Sequence, residues 1–338
     1  MSSKTTSRGL FLALLVFPAI TALSATLIFG RFKAAGMDIQ LRSHCKPLSP
    51  GSQVTSYRLD YTGVDGMDKP LCALVTFFHS IMDSSLSRSF LSYAIGISGP
   101  LVLLPSLESY RIGQHRALSY PVLWGFLMQT ATVGITFPLY WLAFILFEGV
   151  NKHHNFNVRK IPQAQVEAII FGLVVGAVIP SVAMLLLDDP KVTAIWQAYP
   201  VYVSIAQQAH LLFRPASKHS QSGFRTIQVL YLTLFIFSSS FHIHTVWPIL
   251  SDFNAIKSML LPSLTPLSPS EPMNHHLLEF LKWDVLLAYV ATALAMLWFA
   301  KSARQVLMII LWYTVAIPLF GFGAAVMGVT IWRDGILA

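Results

Sequence analysis

Eight stretches of this chain are each apolar enough, over enough residues, to bury themselves in hydrocarbon, and nothing else constrains its fold as strongly. They run over residues 10–30, 89–107, 121–147, 165–187, 194–213, 226–250, 284–300 and 305–331. A membrane helix needs roughly 20 mostly apolar residues, and in lipid it must pair its own backbone N–H and C=O groups. The expected fold class is therefore all-α, a polytopic transmembrane helical bundle of about eight spans, with residues 1–338 forming a single integral membrane domain. Charged residues make up 11% of the sequence, against roughly a quarter in soluble domains. That scarcity argues against a separate water-facing domain.

The first apolar stretch follows Lys4 and Arg8 and is long for a signal core, so it reads as an uncleaved span. Residues 31–88 read as a hydrophilic loop carrying a short amphipathic or re-entrant segment at 71–82. Cys45 and Cys72 are too few for a disulfide framework. They are expected as two unpaired thiols, although an oxidising lumen would let them pair. The net charge of +8 is scattered through short loops, which fits loop orientation and anionic headgroups rather than nucleic acid.

Eight crossings would put both termini on one side of the membrane. The loops of the other side (148–164, 214–225 and 301–304) hold eight Lys and Arg, against four in 108–120, 188–193 and 251–279. The positive-inside rule then places the richer side in the cytosol and the other in the lumen.

Polar groups at membrane depth are costly unless they face protein or water, so their positions mark the bundle interior. Gly125, Gln129, Thr132, Thr136 and Tyr140 form a stripe on one face of the helix expected over 121–147. Trp196, Gln197, Tyr199, Tyr202, Gln207 and Gln208 make the 194–213 segment polar on more than one face, which puts it at the centre. Asp284 shares a face with Ala288, Ala291 and Ala295, small residues that let helices approach closely. With eight crossings, Glu108, Trp196, Tyr199, His242 and Asp284 all fall at one end of the bundle, with Gln129 about a third of the way in. That convergence is the candidate site.

Each member also has a structural reading. Glu108 with Arg111 suits an i,i+3 ion pair, Asp284 a first-turn carboxylate, and His242 an interhelical hydrogen bond. Asp188–Asp189 precedes Pro190 and reads as a helix-end turn, short of the acidic cluster that would hold magnesium and diphosphate. No metal site and no cofactor are expected. A dry aromatic cavity with a few carboxyl groups suits protonation of an epoxide or alkene on an isoprenoid tail. Burial favours a neutral carboxyl acid, aromatic faces stabilise the cation, and excluded water cannot quench it. On this reading Glu108 and Asp284 are the candidate catalytic acids. Gln129, Trp196, Tyr199, Tyr202 and His242 are the candidate substrate-binding residues.

The runs SLESYRIGQHRALSYPVLWGFLMQTATVGITFPLYW (106–141), WQAYPVYVSIAQQ (196–208) and FLKWDVLLAYVATALAMLW (280–298) resemble the fungal membrane-bound terpene cyclases of meroterpenoid biosynthesis, of the ascofuranone and macrophorin type. The resemblance spans about residues 85–335. It implies a cofactor-independent cyclase acting on a farnesylated phenol or epoxycyclohexenone, late in a secondary-metabolite pathway at the endoplasmic reticulum. It also implies an upstream prenyltransferase and epoxidase, with the lipid bilayer as surroundings and a hydrophobic prenylated substrate. The competing readings are a transporter or lipid-binding protein using the same cavity, and another isoprenoid isomerase.

Overall fold

The computed structural model describes residues 2–46, 57–111, 115–150 and 161–337. It is helical throughout; the β feature among the described residues is an isolated bridge between Pro162 and Ser222. Among the described residues, six helices are long and apolar enough to cross a membrane: Gly9–Ala34, Ser85–Ser109, Gln163–Leu187, Phe224–Ile249, Met273–Leu297 and Ala303–Gly335. The chain is thus an all-α membrane protein.

Two of the eight expected spans fold back on themselves. The 121–147 stretch is two helices, Pro121–Ala131 and Val133–Val150, joined at Thr132 in an extended positive-φ conformation (φ 72°, ψ 161°). Their packing shows that the chain reverses. Trp124 meets the Tyr140 ring edge-on at 5.2 Å, and the Trp124 indole donates to the Ala117 carbonyl. His115 stacks on Phe147 at 3.8 Å, so both arms return to one membrane face. The expected polar stripe is split by this turn, with Gln129 on one arm and Thr136 and Tyr140 on the other.

The last apolar stretch behaves alike. Within Ala303–Leu337, Gly321 is non-helical (φ 83°, ψ 168°). Trp312 donates its indole N–H to the Ala325 carbonyl at 2.9 Å. Thirteen residues of straight helix would part these groups by about 20 Å, so the chain forms a second hairpin.

Gly9, Phe299, Glu108 and Arg333 lie at one face, here called the terminal face: Trp298 donates to the Gly9 carbonyl, and Arg333 covers the Phe299 ring and pairs with Glu108. The opposite face carries Arg31 on the Ser263 and Leu264 carbonyls, and Arg88 on Asp188. The 190–213 segment forms two short helices, Pro190–Trp196 and Tyr199–Phe213. It lies so close to Gln163–Leu187 that a Cβ on Gly176 would sit 2.2 Å from the Val203 nitrogen.

Cys45 and Cys72 are joined in a disulfide, which corrects the expectation of unpaired thiols. Spacing alone could not show that the helix Asp65–Met82 folds back over the segment carrying Cys45. This helix is buried along Cys72, Val75, Thr76, Phe77 and His79 to Met82. It roofs the bundle on this disulfide face: Phe77 packs edge-on against Phe280 and Phe78 against Trp196. His79 reaches Asp188 at 3.3 Å and the Thr193 hydroxyl at 3.1 Å.

Candidate functional site

Beneath this roof lies a cavity of about 280 Å³. Its wall is mostly apolar: Phe78, Leu91, Leu101, Met128, Val133, Leu173, Leu234, Phe241 and Leu281. Four of the sequence candidates face it, namely Gln129, Trp196, Tyr199 and Asp284, with Ser92, Ser98 and Ser181 adding hydroxyls. Asp284 is the carboxylic acid among its lining residues.

The turn at Thr132 explains how a carboxyl group can sit at mid-membrane. Restarting a helix at Val133 leaves N–H groups with no carbonyl one turn back. Gly134 N–H donates to Asp284 Oδ1 at 2.6 Å, and the Val133 N–H and Thr132 hydroxyl adjoin the same carboxyl. Asp284 therefore acts as an N-terminal cap supplied from another helix. Its helix, Met273–Leu297, is tied to the same arm lower down, where Trp141 donates to the Thr292 hydroxyl at 3.0 Å. Ala288, Ala291 and Ala295 are fully buried, as their shared face with Asp284 requires. Gly134 has no room for a side chain, since a Cβ would fall 2.9 Å from Asp284 Oδ1.

The aromatic wall is also fixed in place. The Trp196 indole donates to Ser181 Oγ at 2.9 Å, and its ring lies 6.0 Å from Tyr199. Gln129 donates to the Gln197 carbonyl at the kink between the two short helices. The Gln197 side chain is buried with both amide atoms unpartnered.

Three sequence candidates lie elsewhere. Glu108 is at the terminal face, because the 121–147 stretch reverses instead of crossing. There it is locked between Arg333 at 2.7 Å and Arg111 at 2.8 Å. Asp334 closes the ring on both arginines, and Tyr231 donates to it at 2.9 Å. Arg111 stays charged, since Glu108 and Asp334 hold its pKa above the ordinary value despite burial. His242 meets the Tyr93 hydroxyl at 3.0 Å through Nδ1 and the Pro318 carbonyl at 3.1 Å through Nε2. A carbonyl only accepts, so Nε2 carries the proton and Nδ1 takes the tyrosine O–H. Tyr202 donates to the Ile195 carbonyl and does not line the cavity.

Sequence reasoning missed the roof residue Phe78 and the far-wall residues Ser181, Leu234 and Phe241. Only Ser181 carried a signal, as the one hydroxyl residue in the 165–187 stretch. The other three are ordinary membrane residues in the sequence.

A family model described as the CtvD domain matches residues 12–338. A protein named terpene cyclase ascI, from Acremonium egyptiacum, is 26% identical over 304 residues, covering 83% of this chain and 79% of that protein. A second, terpene cyclase atmA from Aspergillus flavus, is 27% identical over 271 residues, covering 72% of this chain and 73% of that protein. No solved structure matches the chain.

Proposed function

We propose, from the premise that this chain belongs to the CtvD domain family, that it is a membrane-embedded terpene cyclase of fungal meroterpenoid biosynthesis. Its substrate on this reading is a farnesylated phenol or epoxycyclohexenone, made by an upstream prenyltransferase and epoxidase. The observation that carries the proposal is the placement of Asp284, a carboxyl group on the wall of an otherwise apolar and aromatic cavity. The names of the two relatives support it.

In the proposed reaction, Asp284 in its neutral form gives its proton to the epoxide oxygen or to a terminal alkene carbon. The Gly134 N–H holds Oδ1 still, so the proton leaves from the other oxygen. The cation that develops meets the faces of Phe78, Trp196, Tyr199 and Phe241, which stabilise positive charge without attacking it. Ring closure moves the charge along the folded chain. Loss of a proton back to the carboxylate ends the cascade, so the reaction is an isomerisation and the acid is restored. Gln129 orients the substrate from the arm that ends at Thr132. The dry wall matters because water would trap the cation early.

Eight membrane-inserted segments, six crossing and two folded back, complete the proposed topology, with both termini on one face. Disulfides persist in oxidising compartments, so the Cys45–Cys72 bond supports a reading in which the opposite face is luminal in the endoplasmic reticulum membrane.

The test compares the two carboxyl candidates. Asp284→Asn keeps an acceptor for Gly134 but has no acidic proton, so turnover in microsomes should fall by about 10²–10⁴-fold. Glu108→Gln breaks a buried ion pair, which costs about 3–5 kcal/mol, so it should lower the yield of folded protein while leaving kcat near that of wild type. A product of unchanged mass from Asp284→Asn at the wild-type rate would defeat the assignment.

A further inference from the structure

The cavity has walls that differ in what lies behind them. Toward the disulfide face it is closed by the roof, where Phe78 and Trp196 stand in edge contact at 4.9 Å and the Cys45–Cys72 disulfide anchors the helix above. Toward the terminal face, the buried ring of Glu108, Arg111, Arg333 and Asp334 lies beyond it. The Asp284 wall is backed by the Val133–Val150 helix, which packs along Met273–Leu297. The remaining wall comes from Gln163–Leu187 and Phe224–Ile249. There, Val178, Val182 and Phe237 line the cavity and remain 45%, 47% and 45% exposed, unlike the buried Leu91, Leu101 and Trp196 of the same lining. A side chain that faces both a cavity and the exterior marks an opening, and on an apolar membrane-spanning surface the exterior is lipid. Phe241 stands at the inner edge of this opening, seated so tightly over Gly96 that a Cβ there would lie 2.3 Å from its ring.

Resting on the cyclase reading above, we infer that the prenylated substrate enters sideways from the bilayer, tail first, between Gln163–Leu187 and Phe224–Ile249. Its aryl head stays at the portal formed by Val178, Val182 and Phe237. The direction follows from Asp284, which sits on the wall away from the portal, so the chain end to be protonated must go in ahead of the ring. The size agrees. At about 280 Å³ the cavity lies below the roughly 300–1,000 Å³ of pockets that enclose whole drug-sized molecules. It suits the folded chain without the head. Head-group tolerance and chain-length selectivity are then set by different residues, the first by Val178, Val182 and Phe237, the second by the inner wall.

The test uses two photoreactive farnesyl phenols in phosphatidylcholine proteoliposomes, one with a diazirine on the aryl ring and one with it near the chain terminus. Peptide mapping should place aryl adducts on Val178, Val182 or Phe237, and terminal adducts on Val133, Gln129 or Asp284. The double variant Val178→Trp, Phe237→Trp should lose both labels and raise KM by about tenfold or more with kcat little changed, the signature of lost uniform binding. Val229→Trp, on the lipid-facing surface of the same helix as Phe237 but outside the cavity, should match wild type. Aryl adducts at Phe78 or beside Asp284, or unchanged labelling and KM in the double variant, would overturn the inference. Asp284→Asn should still label at the portal. Portal labelling of a wild-type protein that converts no prenyl phenol would leave the portal standing and remove the cyclase.

Discussion

The two hairpins turn through almost the same backbone conformation, yet their turns are built from opposite materials. Thr132 has φ 72° and ψ 161°; Gly321 has φ 83° and ψ 168°. That region is open to glycine and costs other residues about 1–3 kcal/mol. At residue 321 the glycine avoids the cost, and neighbours satisfy the carbonyls that the broken helix leaves behind: His242 donates to Pro318 and Trp247 to Leu319. At residue 132 a β-branched threonine bears the strain, and the freed groups are N–H donors met by a carboxyl group. The Gly321 turn is a packed joint with both imidazole nitrogens of His242 occupied. The Thr132 turn holds an acid at a cavity wall. Backbone strain kept beside a buried carboxyl, when glycine would relieve it, sets the Thr132 turn apart as the one the proposed function uses.

That contrast can be broken by exchanging the residues. The largest effect belongs to Gly321→Ala, which adds about 1–3 kcal/mol of backbone strain and places a Cβ 2.8 Å from His242 Nδ1. Thermal unfolding in detergent should show a marked loss of stability, while the folded fraction keeps its kcat. Equal loss of kcat would tie this turn to the chemistry and erase the distinction. Thr132→Gly should act in the other direction and more weakly. Relief of strain is offset by about 0.5–1 kcal/mol of glycine entropy, giving a net gain of about 1 kcal/mol. Turnover should fall several-fold as the loosened turn lets the cap on Asp284 wander, on the scale of a misplaced catalytic group. A destabilised Thr132→Gly with normal turnover would show that the threonine is not strained.

The smallest effect lies in the roof helix Asp65–Met82. Burial holds the His79 imidazole below its ordinary value of 6.5, against the upward pull of Asp188 and Asp83. As pH falls through 6.5 the unfolded chain takes up a proton before the folded one does. Stability from this group is therefore complete above that pH and is lost below it. Melting temperature should fall between pH 7 and pH 5.5 in the wild type and fall less in His79→Gln. An identical slope in both would place the pH sensitivity elsewhere.

Much of the candidate site was legible residue by residue. Asp284, Gln129, Trp196 and Tyr199 were found because polar and aromatic groups at membrane depth need a reason, and all four line one cavity. Glu108 met the same criterion and lies at the other face. Glu108 falls beside Asp284 only if each apolar stretch crosses the bilayer, and one reversal at Thr132 inverts every upstream helix relative to the downstream ones. His242 and Tyr202 were polar for the bland reason, hydrogen bonding between and within helices. The far wall was invisible because leucine and phenylalanine look the same facing lipid as facing a cavity.

By itself, the sequence determined the helical class, the membrane environment, the apolar segments and the polar positions that must turn inward, since these depend on hydrophobicity and backbone pairing along a single stretch. Tertiary structure decided which segments reverse, that Cys45 reaches Cys72, and which carboxyl meets the cavity. Those outcomes depend on groups far apart in the chain. The Thr132 turn persists because Asp284, 150 positions away from Gly134, receives its orphaned N–H, and no local pattern records that contact.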